Sequence, residues 1–139
     1  MKHQCSFTVD SAIINRDFVL AVVENYLKRF ESTNEEVSDI KTAVSEAVMN
    51  CIVHAYPDKP GKIHVELSNK NNNCIRIVIR DTGCGIADIK KALTPLYSSV
   101  GGSERSGLGF TVMEAFCNKV KVVSVVNKGT TVTLEKILK

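Results

Sequence analysis

Two apolar–polar alternations joined by a run of asparagines constrain the fold of this chain more than any other feature. Apolar residues occupy every second position in both segments: Ile63, Val65 and Leu67 in the first, and Ile75, Ile77 and Ile79 in the second. A period of two places such side chains on one face of a strand, and the turn at Asn71-Asn72-Asn73 predicts an antiparallel hairpin. Because one face of this hairpin is apolar, other elements have to cover it.

Two upstream segments have the periodicity of covering helices. In the segment from Asn15 to about Phe30, apolar residues recur every four positions, at Phe18, Val22, Tyr26 and Phe30, with Val19, Val23 and Leu27 beside them. A second helix is predicted to begin near Thr33, because Thr33 and Glu36 have the spacing of a capping box. Its apolar stripe comprises Val37, Ile40, Val44, Ala47, Val48, Cys51 and Ala55.

The remaining segments complete the order of elements. A short strand is predicted at residues 4–9, a short helix at 87–93, a further helix from about Gly107 to Cys117, and strands at 119–126 and 130–137. Amphipathic helices with half-buried strands predict an α+β fold. We expect a two-layer sandwich, with helices on one face of a mixed, mostly antiparallel sheet, in a single domain spanning residues 1–139.

Composition argues against several classes of protein. The chain has 139 residues, 44% of them hydrophobic, and its net charge of +3 is dispersed, so a nucleic-acid groove is not expected. No apolar run approaches the length of a membrane span. Five cysteines without a Cys-x-x-Cys pair suggest neither a disulfide framework nor a zinc site. A reducing cytoplasm is the expected location.

The second helix carries the first candidate site residues. Glu46 and Asn50 lie four positions apart and share a helix face, with His54 one further turn along. A carboxylate beside a carboxamide offers oxygen ligands to a hard cation such as Mg²⁺. The carboxylate can instead orient a water or a hydroxyl nucleophile. Two solvated polar residues are the alternative.

The segment that follows the second hairpin strand is the next candidate. Asp81 ends the strand, and Gly83, Gly85 and Ile86 follow it. Glycines permit close approach of a ligand, and a carboxylate there can accept a hydrogen bond from an exocyclic amine such as that of adenine. A tight turn without a ligand has the same pattern.

A glycine-rich segment opens the third helix. It contains Arg105, Ser106, Gly107, Leu108 and Gly109. Free N–H groups at a helix N-terminus bind phosphate, and an arginine can pair with phosphate or with an acidic partner. The segment is neither a Walker A nor a Rossmann sequence. A flexible linker is the alternative.

A last candidate is Thr130, in Gly129-Thr130-Thr131-Val132 at the start of the final strand. Its hydroxyl can bond a base edge, although, taken alone, a turn followed by a β-branched strand explains the residue better. In this order, Glu-Ala-Val-Met-Asn, Asp-Thr-Gly-Cys-Gly-Ile, Gly-Leu-Gly-Phe and Gly-Thr-Thr-Val resemble the motifs of the GHKL (Bergerat-fold) nucleotide-binding superfamily. The resemblance implies ATP or ADP as ligand, with Asn50 on Mg²⁺, Asp81 and Thr130 at adenine, and Gly107 with Gly109 at the phosphates. It also implies nucleotide contacts for His54, Gly83, Gly85, Ile86, Ser106 and Leu108.

The whole chain resembles the compact serine-kinase branch of that superfamily, the bacterial anti-sigma factors, and among them those of sporulation. Similarity is concentrated in residues 40–48 with Asn50, in His54-Ala55-Tyr56, in Pro95-Leu96, and in Glu104 to Thr111. The resemblance implies a homodimer that binds a sigma factor and phosphorylates a serine of a small anti-anti-sigma protein of the STAS type. Glu46 is then the general base, and Arg105 meets the phosphates or the partner.

Three other functions remain open. A stress-response anti-sigma kinase shares every motif, and a nucleotide-gated binding module needs no phosphate transfer. The ATP-binding half of a histidine kinase is disfavoured, because no upstream helices with a phospho-acceptor histidine are expected. The segment at 97–106 differs in sequence from the form that we expect in the family.

Overall fold

The fold was analysed in a computed structural model, which describes residues 2–56, 59–86 and 109–139. Three α-helices and five β-strands make up these ranges. In chain order they are β1 (Cys5–Asp10), α1 (Ile14–Leu27), α2 (Asn34–Asn50), β2 (Lys62–Asn71), β3 (Cys74–Asp81), α3 (Gly109–Phe116), β4 (Lys119–Val125) and β5 (Gly129–Ile137). A π-helical turn (Cys51–Ala55) continues α2. The helix expected at 87–93 lies outside the described residues.

The strands form one sheet in the order β1-β2-β3-β5-β4. All four pairings are antiparallel. The two-layer α+β sandwich is therefore confirmed, while the parallel pairing that a mixed sheet implies is absent from the ranges described above. The predicted hairpin is β2 and β3, which pair from Ile63 opposite Asp81 to Asn71 opposite Cys74.

The core lies between one face of the sheet and the helices. The alternating residues of β2 and β3 are buried together with four residues of the predicted stripe of α2, and each of these is at most 2% exposed: Ile63, Val65, Leu67, Ile75, Ile77, Ile79, Ile40, Val44, Ala47 and Val48. Val37 of the same stripe is only half-buried. Full burial of an aliphatic side chain of this size stabilises a fold by roughly 1.5–3 kcal/mol. Helix α2 is central, because α1 and α3 both pack against it.

Helix α1 is confirmed, and the structure shows which of its apolar residues are buried. Of the stripe that recurs every four positions, only Tyr26 is buried, whereas the flanking Val19, Val23 and Leu27 fill the core. Phe18 is 53% exposed and lies edge-on against Phe7 of β1, with ring centroids 6.1 Å apart. Apolar residues occupy a wider part of the α1 surface than α2 and the sheet can cover. Periodicity alone therefore does not show which of these residues face the core.

The start of α2 is as predicted. Thr33 caps the helix, its hydroxyl accepting from the Glu36 N–H at 3.0 Å, and the Glu36 carboxylate accepts from the Thr33 N–H at 2.9 Å. The same carboxylate accepts from the Lys139 N–H at 2.7 Å. These bonds, first that from Thr33, hold the pKa of Glu36 below its ordinary value. Through Glu36, the capping box therefore also binds the backbone of Lys139, which follows β5.

Within the residues that the structure describes, no helix is both long enough and apolar enough to span a membrane.

Candidate functional site

Asp81 stands at the end of β3 and is held by three hydrogen bonds. Its side chain is on the helix-covered face of the sheet and is only 6% exposed. Oxygen Oδ1 accepts from the N–H groups of Gly83 at 2.9 Å and Thr130 at 3.2 Å. Oxygen Oδ2 accepts from the Cys51 thiol, with sulfur and oxygen 3.4 Å apart. Three donors from three separate segments therefore fix the orientation of one carboxylate.

Cys51 was predicted only as a small apolar residue of the helix stripe. It is indeed buried, but it also donates to Asp81 from the first residue of the π-helical turn. Burial, together with the negative charge of the Asp81 carboxylate, raises the pKa of the Cys51 thiol well above its usual value. The thiol consequently stays protonated and remains a donor. We call Cys51, Asp81, Gly83 and Thr130 the Asp81 cluster.

The turn after β3 is built around close backbone contact. A side chain at Gly83 would overlap the carbonyl oxygen of Ala55, which is the last residue of the π-helical turn. The Cys84 N–H donates to that same carbonyl at 3.1 Å. Gly85 has a φ of +75°, a region that glycine adopts readily, and its carbonyl-side neighbour Ile86 is half-buried. Gly83 therefore allows the turn to pack against the end of the π-helical turn, whereas a side chain at Gly85 would overlap the carbonyl oxygen of Val125.

Tyr56 is a residue that motif reasoning did not single out for a role. Its hydroxyl accepts from the Thr82 N–H at 2.8 Å and donates to the Lys62 carbonyl at 2.7 Å. It thereby connects the end of the π-helical turn, the start of β2 and the turn after β3. The available signal was its position directly after His54-Ala55 in the segment that carries the family resemblance.

Thr130 lies opposite Asp81 in the pairing of β5 with β3. Its hydroxyl is 2.7 Å from the hydroxyl of Ser124, which also accepts from the Ile86 N–H at 2.7 Å. Ser124 donates to the Gly129 carbonyl at 3.1 Å, so the shared hydrogen belongs to Thr130. Ser124 therefore joins the end of the Asp-Thr-Gly-Cys-Gly-Ile segment to the start of β5, a link that sequence did not indicate.

A second group forms where α3 begins. Glu46 and Asn50 are both half-buried and lie one turn apart on α2. A Cβ atom built on Gly109 would lie 3.3 Å from Asn50 Nδ2 and 3.4 Å from Glu46 Oε2. The first residue of α3 thus faces both side chains. We call Glu46, Asn50 and Gly109 the Glu46 cluster.

The two clusters are neighbours, because Asn50 and Cys51 are adjacent in the chain and Cys51 contacts Asp81. His54 lies in the π-helical turn between them, and its carbonyl oxygen accepts from the Cys84 thiol at 3.1 Å. The predicted residues Arg105, Ser106, Gly107 and Leu108 lie outside the described residues, as does the rest of the segment at 97–106. Among the residues that are described, no group of three or more His, Cys, Asp or Glu side chains is arranged to hold a metal ion.

This arrangement of helices, sheet and turns is matched by a known class of domain. The sequence fits the family described as the histidine kinase-like ATPase domain over residues 14–136. The match covers most of the chain, and the chain therefore belongs to that family. Membership implies a nucleotide as the ligand of the site.

Within the family, the chain is similar to anti-sigma F factors. It is 44% identical to that of Clostridium novyi (strain NT) over 128 residues, which are 90% of this chain and 87% of the relative. It is 41% identical to that of Oceanobacillus iheyensis over 139 residues, which are 99% of this chain and 94% of the relative. The resemblance to the anti-sigma branch of the GHKL superfamily is thereby confirmed.

Solved structures agree on the fold. A structure of the RsbU and RsbW domains of a Mycobacterium tuberculosis protein has a TM-score of 0.72 at 22% identity, covering 98% of this chain and 32% of that chain. A mycobacterial sensor histidine kinase, MprB, has a TM-score of 0.61 at 18% identity, covering 97% of this chain and 99% of that chain. At such identities the likeness concerns the arrangement of elements.

Proposed function

We propose that this chain is an anti-sigma factor with protein serine kinase activity. It binds ATP and Mg²⁺ across the two clusters, holds a sporulation sigma factor of the sigma F type, and phosphorylates a serine of an anti-anti-sigma protein of the STAS type. The observation that carries the proposal is the approach of Gly109 to both Glu46 and Asn50, because it puts a carboxylate, an amide and a helix N-terminus at one place.

The Asp81 cluster is suited to the base of the nucleotide. A buried carboxylate is an acceptor only, and adenine presents an exocyclic amine that donates. Thr130 has given its hydroxyl hydrogen to Ser124, so its oxygen can accept from a ligand. Gly83, Gly85 and Ile86 would line the base beside Asp81.

The Glu46 cluster is suited to the phosphates. The N–H groups in the first turn of α3 have no partner within the helix, and such groups bind phosphate. Mg²⁺ commonly takes only one or two protein ligands and completes its shell with phosphate and water, so the amide oxygen of Asn50 fits the role. When bound, the ion neutralises phosphate charge. His54, Arg105, Ser106, Gly107 and Leu108 are assigned nucleotide contacts by resemblance.

Glu46 is the proposed general base. A serine hydroxyl that approaches a γ-phosphate near the start of α3 lies beside the Glu46 carboxylate, which takes the hydroxyl proton. The serine oxygen forms a bond to the γ-phosphorus, the bond from that phosphorus to the β–γ bridging oxygen breaks, and ADP leaves with that oxygen.

The relatives named anti-sigma F factors favour a sigma factor as one partner and a cytoplasmic location. A stress-response sigma factor of the sigma B type is the alternative partner. In a second alternative, the nucleotide gates partner binding and no phosphate is transferred.

A homodimer is also proposed. Strand β1 forms one edge of the sheet, and next to it Ile13, Ile14 and Phe18 are at least half exposed. Exposed apolar side chains beside a strand edge are typical of an interface. Light scattering across concentration should show a dimer that Phe18→Asp dissociates. The matched control Val123→Asp changes an equally exposed residue on the opposite edge and should leave the dimer intact.

Phosphate transfer is tested by mixing the full chain with Mg²⁺, ATP labelled at the γ-phosphate and a STAS-type anti-anti-sigma protein. Label should appear on one serine of that protein, and its Ser→Ala variant should stay unlabelled. If the chain binds ATP and the partner but transfers no label, the gating alternative is correct. Competition with sigma F and sigma B proteins in the same mixture would distinguish the two sigma partners.

A further inference from the structure

Cys51 is a buried group for which the proposed catalytic cycle has no use. It is 4% exposed, and its thiol donates to Asp81 Oδ2. We propose that Cys51 is a positioning residue, which holds the Asp81 carboxylate in the orientation that selects adenine over bases lacking an exocyclic amine donor. This inference rests on the proposed nucleotide site.

The acceptor sites of the carboxylate show why orientation matters. Two carboxylate oxygens together accept about four hydrogen bonds. Oxygen Oδ1 already accepts two, from the N–H groups of Gly83 and Thr130, and Oδ2 accepts one, from the Cys51 thiol. One acceptor position on Oδ2 remains, and in the proposed complex it accepts from the base. It attracts an amine and repels the carbonyl oxygen that hypoxanthine presents instead.

The hydrogen bond from the Cys51 thiol prevents the Asp81 carboxylate from turning, so that its free acceptor position keeps one direction. With only the two bonds to Oδ1, the carboxylate is held at one oxygen and the free Oδ2 position is less defined. A donor on Oδ2 fixes the plane of the group. Because burial raises the pKa of the thiol, the donor is present throughout the physiological pH range.

The location of Cys51 also sets the spacing of the nucleotide site. It directly follows Asn50, which lies in the Glu46 cluster against Gly109. The same stretch of backbone therefore positions Asn50, the proposed metal ligand, and Cys51, which donates to the proposed base-binding carboxylate of Asp81. A purely apolar packing role for Cys51, the usual role of a buried cysteine, would need no contact with Asp81.

The two roles predict different results. Calorimetric titration of the full chain with ATP and with inosine triphosphate, each with Mg²⁺, gives the ratio of the two dissociation constants. We expect Cys51→Ala to reduce the preference for ATP by about five- to tenfold, since a hydrogen bond to a charged group is lost. Cys51→Ser restores an O–H donor and should restore most of the preference. Cys74→Ala removes another buried thiol, at the opposite end of β3, and should leave the ratio unchanged.

A double-mutant cycle with Asp81→Asn supplies the second readout. If Cys51 acts through Asp81, Cys51→Ala should change the ratio by less than twofold in the Asp81→Asn background. An unchanged ratio in folded Cys51→Ala, or an equal change in Cys74→Ala, would overturn the inference while leaving the proposed function intact. A wild-type chain that binds neither nucleotide would overturn both.

Discussion

The Asp81 cluster and the Glu46 cluster are adjacent but are held in different ways. Asp81 is nearly inaccessible, and its bonds come mainly from backbone N–H groups and a buried thiol. Glu46 and Asn50 are half-buried side chains on one helix face, next to the first residue of another helix. The first arrangement fixes the orientation of one carboxylate, whereas the side chains of the second are more exposed. Under the proposed function, substitutions in the Asp81 cluster should weaken nucleotide binding, whereas substitution of Glu46 should act mainly on phosphate transfer.

The largest expected effect is that of Glu46→Gln on phosphate transfer. The amide keeps the shape of the side chain but cannot take a proton, so the transfer rate should fall by about 10²–10⁴-fold. ATP affinity, measured by calorimetry, should change little, because Asp81 and Asn50, the proposed contacts of the base and of Mg²⁺, are untouched. Glu114→Gln neutralises an exposed carboxylate on α3 and serves as the control. Transfer at the wild-type rate in Glu46→Gln would remove Glu46 as the base.

Gly83→Ala should damage the other cluster. The added methyl group overlaps the Ala55 carbonyl, so the turn has to move away from the π-helical turn, at a cost of about 1–3 kcal/mol. Thermal unfolding should show this loss, and ATP affinity should fall with it. The control Cys84→Ala introduces alanine at the next position, which is exposed. It should have only a small effect on thermal stability and on ATP affinity. Unaltered ATP affinity in Gly83→Ala would show that this turn does not shape the nucleotide site.

Tyr56→Phe should have a smaller effect on the same cluster. Loss of the hydroxyl leaves the Thr82 N–H and the Lys62 carbonyl without this partner, which should destabilise the fold by about 1–2 kcal/mol. ATP affinity should decrease a few-fold, because Thr82 adjoins Asp81. Tyr26→Phe removes a hydroxyl that donates to the His3 carbonyl at 2.6 Å, far along the chain from this turn. If Tyr56→Phe and Tyr26→Phe weaken ATP binding equally, the Tyr56 hydroxyl has no specific effect on the Asp81 cluster.

The smallest effects should come from the capping box, which lies outside both clusters. Thr33→Ala should destabilise the fold by about 1 kcal/mol without changing ATP affinity. The lowered pKa of Glu36 means that its contribution to stability is complete above its unfolded-state value, near 4.5, and is lost as pH falls through the folded-state value. Chemical denaturation between pH 7 and pH 3 should therefore show a weaker acid dependence in Glu36→Gln than in the wild type. Equal dependence would show that another carboxylate controls acid unfolding.

Sequence predicted the fold and the candidate site unequally. The β2–β3 hairpin and the stripe of α2 were predictable because a period of two or of 3.6 residues identifies one buried face. The orientation of α1 was not, because Phe18 and Val19 both belong to its wide apolar surface. The pairing of Glu46 with Asn50 followed from their four-residue spacing on a helix. The approach of Gly109 to both side chains is seen only in the structure. The bond between Cys51 and Asp81 joins residues 30 positions apart, and no local pattern reveals it.

The Asp81 cluster has a consequence for folding. Its members come from the π-helical turn, the end of β3 and the start of β5, so the carboxylate acquires its donors only after contacts distant in sequence have formed. A ligand that binds only the native arrangement shifts the folding equilibrium, by about 2.7 kcal/mol when it is present at 100 times its dissociation constant. Cellular nucleotide would then act as a stabiliser of newly made chains, protecting from proteolysis those that have brought all three segments together.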